Sequence, residues 1–400
     1  MKMKLNLIIS VLMIYMVSAV VAYADDWYQY HGPNRDRIST ESGWDADWSD
    51  AAPKTVWKAN VGIGFSSFSV ADGRVYTMGN TDDKDMVWCF DALTGEEIWK
   101  YTYDCKLQPY LYEGGPGCTP TVYDGLVYTV SKEGHFYCFD AKTGEKKWYI
   151  NLPVEYEAKV PEWRFAVSPL IEKDWVVLEI GFFAAFDRRS GDLVWKSAPY
   201  NASYGSPIAI DHYGKRCFAG FNEYGLVVVE AANGKEVAKF RMKSDYGINA
   251  ATPIYKEGRF FISSAYAQVG KLVEVSADGS VNEIWDNRLM RTQLNAAVLW
   301  DGYLYGFDET NLRCVDFKTG EEQWMKRGLG RASLMIADGK LLILSERGDL
   351  VLAEIVPKEF KEISRATVLR EKCWSVPVLA NGLIYCRNAA GEVVCVDVRK

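Results

Sequence analysis

The chain has 400 residues, 48% of them hydrophobic and 14% aromatic, which supports a large buried core and excludes a disordered or low-complexity protein. Lys and Arg number 46 against 53 Asp and Glu, a formal net charge of −7. So mildly acidic a surface lacks the basic footprint that phosphate backbones require, which argues against nucleic acid as a partner.

Lys2 and Lys4 precede an apolar run from Leu5 to Val21, and Ala22-Tyr23-Ala24 places small residues where a signal peptidase reads them. This predicts export, with a leader over 1–24 cleaved before Asp25. The alternative is an uncleaved anchor, but Asn6, Ser10 and Ser18 interrupt the run, which falls short of the ~20 apolar residues of a span. No Cys stands near the junction to carry a lipid. Residues 25–54 follow, irregular and aromatic, with Trp27, Tyr28, Tyr30, Trp44 and Trp48; they are expected to pack across one face of the next domain.

From residue 55 onward one pattern returns: an Asp, a Gly four residues on, and a Trp four beyond that. It reads Asp91, Gly95, Trp99; Asp140, Gly144, Trp148; Asp187, Gly191, Trp195; and Asp316, Gly320, Trp324. Glu230, Gly234 and Ala238 keep the frame without the Trp, and Gly279 and Trp285 keep its ends. Upstream of each copy lies a tight-turn pair between β-rich runs, such as Asp72-Gly73, Asp124-Gly125, Asp301-Gly302 or Asn381-Gly382. Two turns between period-two apolar runs describe a meander of four short antiparallel strands. Trp57, Trp99, Trp148 and Trp195 are 42, 49 and 47 residues apart, close to the ~40–45 residue period of a propeller blade.

The fold predicted is therefore an all-β, eight-bladed β-propeller of four-stranded antiparallel blades over 55–400. Inner strands are expected at Ser67, Thr119, Ser168, Ser206, Thr252, Ala296, Ser333 and Val376. The last blade has three strands of its own, so an N-terminal strand around Trp57 is expected to complete it and remove the exposed edges. Each repeated Trp is read as packing between blades and each repeated Asp as holding its own turn.

Cys89, Cys138, Cys314 and Cys395 precede a repeated Asp by two residues and occupy one equivalent strand position. Cys105 and Cys118 bracket the longest connection and are the disulfide candidate in an exported chain. His31, His135 and His212 are scattered without metal spacing, so no metal site is expected. Candidate channel-mouth residues stand just before the inner strands: Phe65, Tyr204, Arg331 and Trp374, with Asn249 one residue earlier. An Arg beside aromatic rings can hold a planar anion, though the same residues could merely plug the channel.

The Asp, Gly, Trp frame resembles the PQQ-like repeat of the quinoprotein alcohol dehydrogenase superfamily over nearly the whole chain from Trp57. The opening Trp27-Tyr28-Gln29-Tyr30-His31-Gly32-Pro33-Asn34-Arg35-Asp36 and the segment Val70 to Tyr76 look like secreted PQQ-like propeller proteins of environmental bacteria. The resemblance implies two kinds of work. Quinoprotein dehydrogenases hold PQQ in the central funnel beside Ca²⁺, commonly against a Trp and a disulfide of adjacent cysteines, with an Asp as base. This sequence has no Cys-Cys pair and no Cys-x-x-Cys-His. Propeller lipoproteins of the outer-membrane β-barrel assembly machinery are scaffolds of similar length, but the lipid-bearing Cys is missing here.

The resulting expectation is a periplasmic or secreted monomer that needs no cofactor. It would bind a protein partner or an extracellular polymer through its loops, notably Tyr101 to Gly117 and Trp163-Arg164-Phe165. A PQQ- and Ca²⁺-dependent dehydrogenase is the runner-up and a carbohydrate-binding propeller the third reading.

Overall fold

The computed structural model describes residues 26–110 and 112–400. The predicted leader lies outside them, and no helix among them is long and apolar enough to cross a membrane. Eight antiparallel sheets of four strands form a β-propeller. In chain order the blades span 69–104, 121–151, 170–196, 208–241, 254–287, 298–326, 333–367 and 378–397. The eighth is completed by Lys54–Asn60, which pairs antiparallel with Glu392–Asp397 in the register Lys54↔Asp397 to Asn60↔Glu392.

The turn pairs set this pattern because both their residues take positive φ, as in Asp72 (51°) with Gly73 (71°) and Asp124 (50°) with Gly125 (73°). That is the type I′ geometry whose twist matches the flanking strands. These hairpins mark one end of the ring, the hairpin face. The passages from blade to blade mark the other, the loop face.

The repeated triplet joins the blades. Asp140 Oδ1 accepts hydrogen bonds from Lys142 N and from the amide and hydroxyl of Thr143, all at 3.0 Å, and so fixes its turn. Gly144, at φ 72°, leaves a flat seat for the indole of Trp99 from the preceding blade, and Trp99 Nε1 donates to Ala141 O at 2.9 Å. Trp57 on Gly95, Trp148 on Gly191 and Trp285 on Gly320 repeat the contact, each indole donating to the next blade. Each Trp buries on the order of 200 Å², roughly 5 kcal/mol as an upper bound. Blades 4 and 5 lack this clasp, because Ala238 stands where the Trp would be.

All nine cysteines are free and buried, so the expected Cys105–Cys118 bridge is not formed. Both lie near Tyr103 and Asp85 without being joined; the Cys105 carbonyl accepts from Asn80 Nδ2 at 2.8 Å, and Cys118 Sγ accepts from Val130 N at 3.3 Å. Burial raises both thiol pKa values, that of Cys118 to about 12.

Candidate functional site

The inner strands line the channel with hydroxyl groups that stitch neighbouring blades. Ser67 N donates to Thr119 Oγ1 at 3.0 Å, Thr119 N to Ser168 Oγ at 2.9 Å and Ser168 N to Ser206 Oγ at 2.9 Å. Ser67 Oγ bonds Val376 O and Ser333 Oγ bonds Ser375 O. The girdle lapses at blades 5 and 6, where Thr252 Oγ1 is buried without a partner and Ala296 has no hydroxyl.

Residues 27–39 lie along the inner strands of successive blades at the hairpin end of the channel. Trp27 bridges Val70, and Tyr28 O accepts from Val122 N. Arg35 donates from Nη1 to Pro207 O at 2.9 Å, from Nη2 to Pro169 O, and from Nε to Gln29 Oε1. Arg37 Nη1 donates to Ala296 O at 2.6 Å, and Ile38–Ser39 adds a parallel strand to Ser333–Ala337 of blade 7. Arginine side chains and backbone groups of the segment reach backbone carbonyls and amides of the blades, which the sequence does not announce because the segment has no periodicity. The chain leaves over blades 7 and 8, where the Glu41 carboxylate accepts from Asn381 N and Gly382 N.

Between this segment and blades 4–6 remains a cavity of about 370 Å³. Its lining includes His31, Arg35, Asp36, Arg37, Thr252 and Tyr255, with Asp211 and Arg216 at an exposed rim. Burial lowers the pKa of His31 well below the imidazole range, helped by Arg37 and Arg35, and raises that of Asp36. Neither Trp nor Cys lines the cavity. Among the described residues no group of three His, Cys, Asp or Glu is placed to hold a metal ion. The residues present thus do not fit a quinone held against a Trp and a Cys pair beside Ca²⁺.

The loop face carries the other candidate residues. Phe65 stacks on Trp374, with ring centroids 5.7 Å apart, and lies 5.8 Å from Tyr112. Tyr112 in turn lies 5.9 Å from Trp163 and its hydroxyl donates to Trp163 O at 3.2 Å. Trp163 N donates to Tyr204 Oη at 3.1 Å, and burial raises the Tyr204 hydroxyl pKa to about 12. Tyr110, 62% exposed, stacks on Trp163 at 5.2 Å. One arc of rings therefore runs from blade 8 to blade 4. Salt bridges and bonds peg it down: Glu113 to Lys372 at 2.6 Å, Lys132 Nζ to Gly114 O at 2.9 Å, and Trp374 Nε1 to Glu346 Oε1 at 3.0 Å.

Three of the five channel-mouth candidates, Phe65, Tyr204 and Trp374, belong to this arc. Arg331 joins only through its amide, which donates to the other oxygen of Glu346 at 3.2 Å. Asn249 does not belong. It is fully buried and spends its amide on Asn222 O at 2.7 Å, bracing the passage between blades 4 and 5. Glu346 and Lys372 lie outside the frame of inner-strand positions, and their only signal in the sequence is charge near Trp374.

The sequence profile of the family described as outer membrane protein assembly factor BamB matches residues 42–209, 157–326 and 223–400. The chain belongs to this family. Among solved structures, BamB from Moraxella catarrhalis superposes with a TM-score of 0.63 at 16% identity, covering 87% of this chain and 98% of that one. The quinohemoprotein alcohol dehydrogenase of Comamonas testosteroni gives 0.65 at 12% identity, covering 94% and 81%. A computationally designed protein, Ika8, gives 0.60 at 12%, covering 91% and 99%. At such identities the likeness is one of fold. A comparison with curated proteins gave no match.

Proposed function

We propose that this propeller is exported to the cell envelope and acts without catalysis, docking a protein partner on its loop face. The carrying observation is the aromatic arc, with Tyr110 exposed on Trp163 and the remaining rings held by mutual contact. Aromatic side chains bury much area at small entropic cost, which is why they anchor interfaces. The family's description as an outer membrane assembly factor supports the same reading. So does the occupation of the channel by residues 27–39, which leaves no Trp- and Cys-lined seat for PQQ.

The stacked pair Tyr110 and Trp163 could equally offer its faces to sugar rings, so a carbohydrate partner is the second reading. The test compares wild type with the Tyr110→Ala, Trp163→Ala double variant. Protein partners captured from the exported fraction should be lost with the variant while retention on polysaccharide gels is absent for both chains. Retardation of the wild type on such gels, lost in the variant, supports the sugar reading instead. Absorbance changes on titration with PQQ and Ca²⁺ would overturn the non-catalytic role.

A further inference from the structure

Two arginines buried in this ring are satisfied to different extents. Arg387 donates from Nε to Asn388 O at 3.4 Å, from Nη1 to Ser66 O and Met78 O, and from Nη2 to Gly62 O at 3.0 Å. Arg37, 1% exposed, donates from Nη1 to Ala296 O and has the Tyr30 hydroxyl close beside it, while its Nε and Nη2 meet no partner in hydrogen-bond geometry. A buried charged donor left without an acceptor costs more than the ~1–3 kcal/mol of a neutral one. Natural folds seldom keep such a group idle.

Arg37 lines the 370 Å³ cavity, and two other orphaned polar atoms belong to residues lining it: Thr252 Oγ1, on the inner wall of blade 5, and His31 Nε2. The hydroxyl girdle lapses at this same place, so the Thr252 hydroxyl is released from the blade-to-blade bond that Thr119 and Ser168 make. The charge balance favours a single negative charge. At the inner end Arg35 and Arg37 oppose Asp36, an excess of one positive charge, whereas at the rim Arg216 is already held by Glu172 at 2.7 Å and Asp211 at 3.1 Å. Asp36 is partly spent on Ile38 N, which donates to its Oδ1 at 3.0 Å.

We propose that this cavity binds a small carboxylic acid, its carboxylate taken by the Arg37 guanidinium and the Thr252 hydroxyl, with the rest of the molecule lying toward the rim at Asp211 and Arg216. An Arg fork matches two carboxylate oxygens, and the volume leaves room for several further heavy atoms. The site lies in the channel and is separate from the docking arc, so either assignment can fail alone.

Melting of the intact protein with acetate, glycolate or succinate, against chloride at equal ionic strength, tests it. At about 20-fold excess over Kd a carboxylate is expected to raise Tm by about 2 °C, the rise growing with the logarithm of its concentration. Thr252→Val serves as the variant least able to disturb folding, since the hydroxyl it removes has no partner. It is expected to melt no lower than wild type and to need about tenfold more carboxylate for the same rise. Arg37→Gln should abolish the rise. Absence of any rise beyond that in chloride, a larger response to inorganic phosphate than to every carboxylate, or an unchanged carboxylate requirement in Thr252→Val would overturn the proposal.

Discussion

Gly144 and Gly125 take nearly the same backbone conformation, φ 72° and 73°, in different surroundings. A Cβ on Gly125 would meet nothing within 4 Å, whereas one on Gly144 would stand 2.7 Å from Trp99 Cδ2 and 2.8 Å from Cε3. Gly125→Ala therefore costs only the left-handed strain, about 1–2 kcal/mol. Gly144→Ala adds displacement of the indole, about 1–3 kcal/mol, and loss of the Trp99 Nε1 bond to Ala141 O, about 1 kcal/mol. The expected difference is roughly 2–4 kcal/mol, read from guanidinium denaturation of the two variants side by side. In a Trp99→Ala background the difference should vanish, because the ring that the new methyl strikes is gone. Equal costs in the wild-type background would refute the reading of the triplet as an interblade clasp.

Two other outcomes follow from buried titratable groups. Glu179 is fully buried, with Oε1 accepting from Gly181 N at 3.2 Å and Oε2 without a partner, and burial raises its pKa to about 8. The folded state then binds the proton more tightly than the unfolded chain, so stability is greatest below about pH 4.5 and declines as pH rises toward 8. Glu179→Gln should remove that contribution, its advantage over wild type growing by on the order of 3 kcal/mol between pH 5 and 8 in paired melts; a flat difference would contradict the assigned burial. Thiol titration without reductant should find all nine cysteines unreactive in the native protein and all nine reactive in denaturant, whereas seven would restore the Cys105–Cys118 bridge.

The ring was legible because its signals are local. Asp140, Gly144 and Trp148 lie within nine residues, and each answers to one physical demand: a turn acceptor, a positive φ beneath a ring, and an apolar plate for the next blade. The completing strand at Trp57 was legible for a similar reason, since the C-terminal blade is one strand short. The site was less so. Equivalent positions in irregular passages share a place in the frame but no side-chain direction, which is why Asn249 turned inward while Phe65 and Trp374 stacked. Residues 27–39 follow no period, and their bonds run to carbonyls such as Pro207 O and Ala296 O that are alike in every sequence. Cys105 and Cys118 bracket a loop whose ends are held by other bonds, so closeness in sequence carried no pairing.

Docking on the loop face is the claim on which the functional account rests, and a photo-reactive residue at position 110 tests it against one at position 213. Tyr110 and Tyr213 are similarly exposed, 62% and 56%, but Tyr213 sits in a hairpin turn at the opposite end of the ring. Illumination of cells is expected to give a discrete protein adduct from position 110, abolished by Trp163→Ala, and none from position 213. Adducts from 213 alone, or from 110 regardless of Trp163, would contradict it.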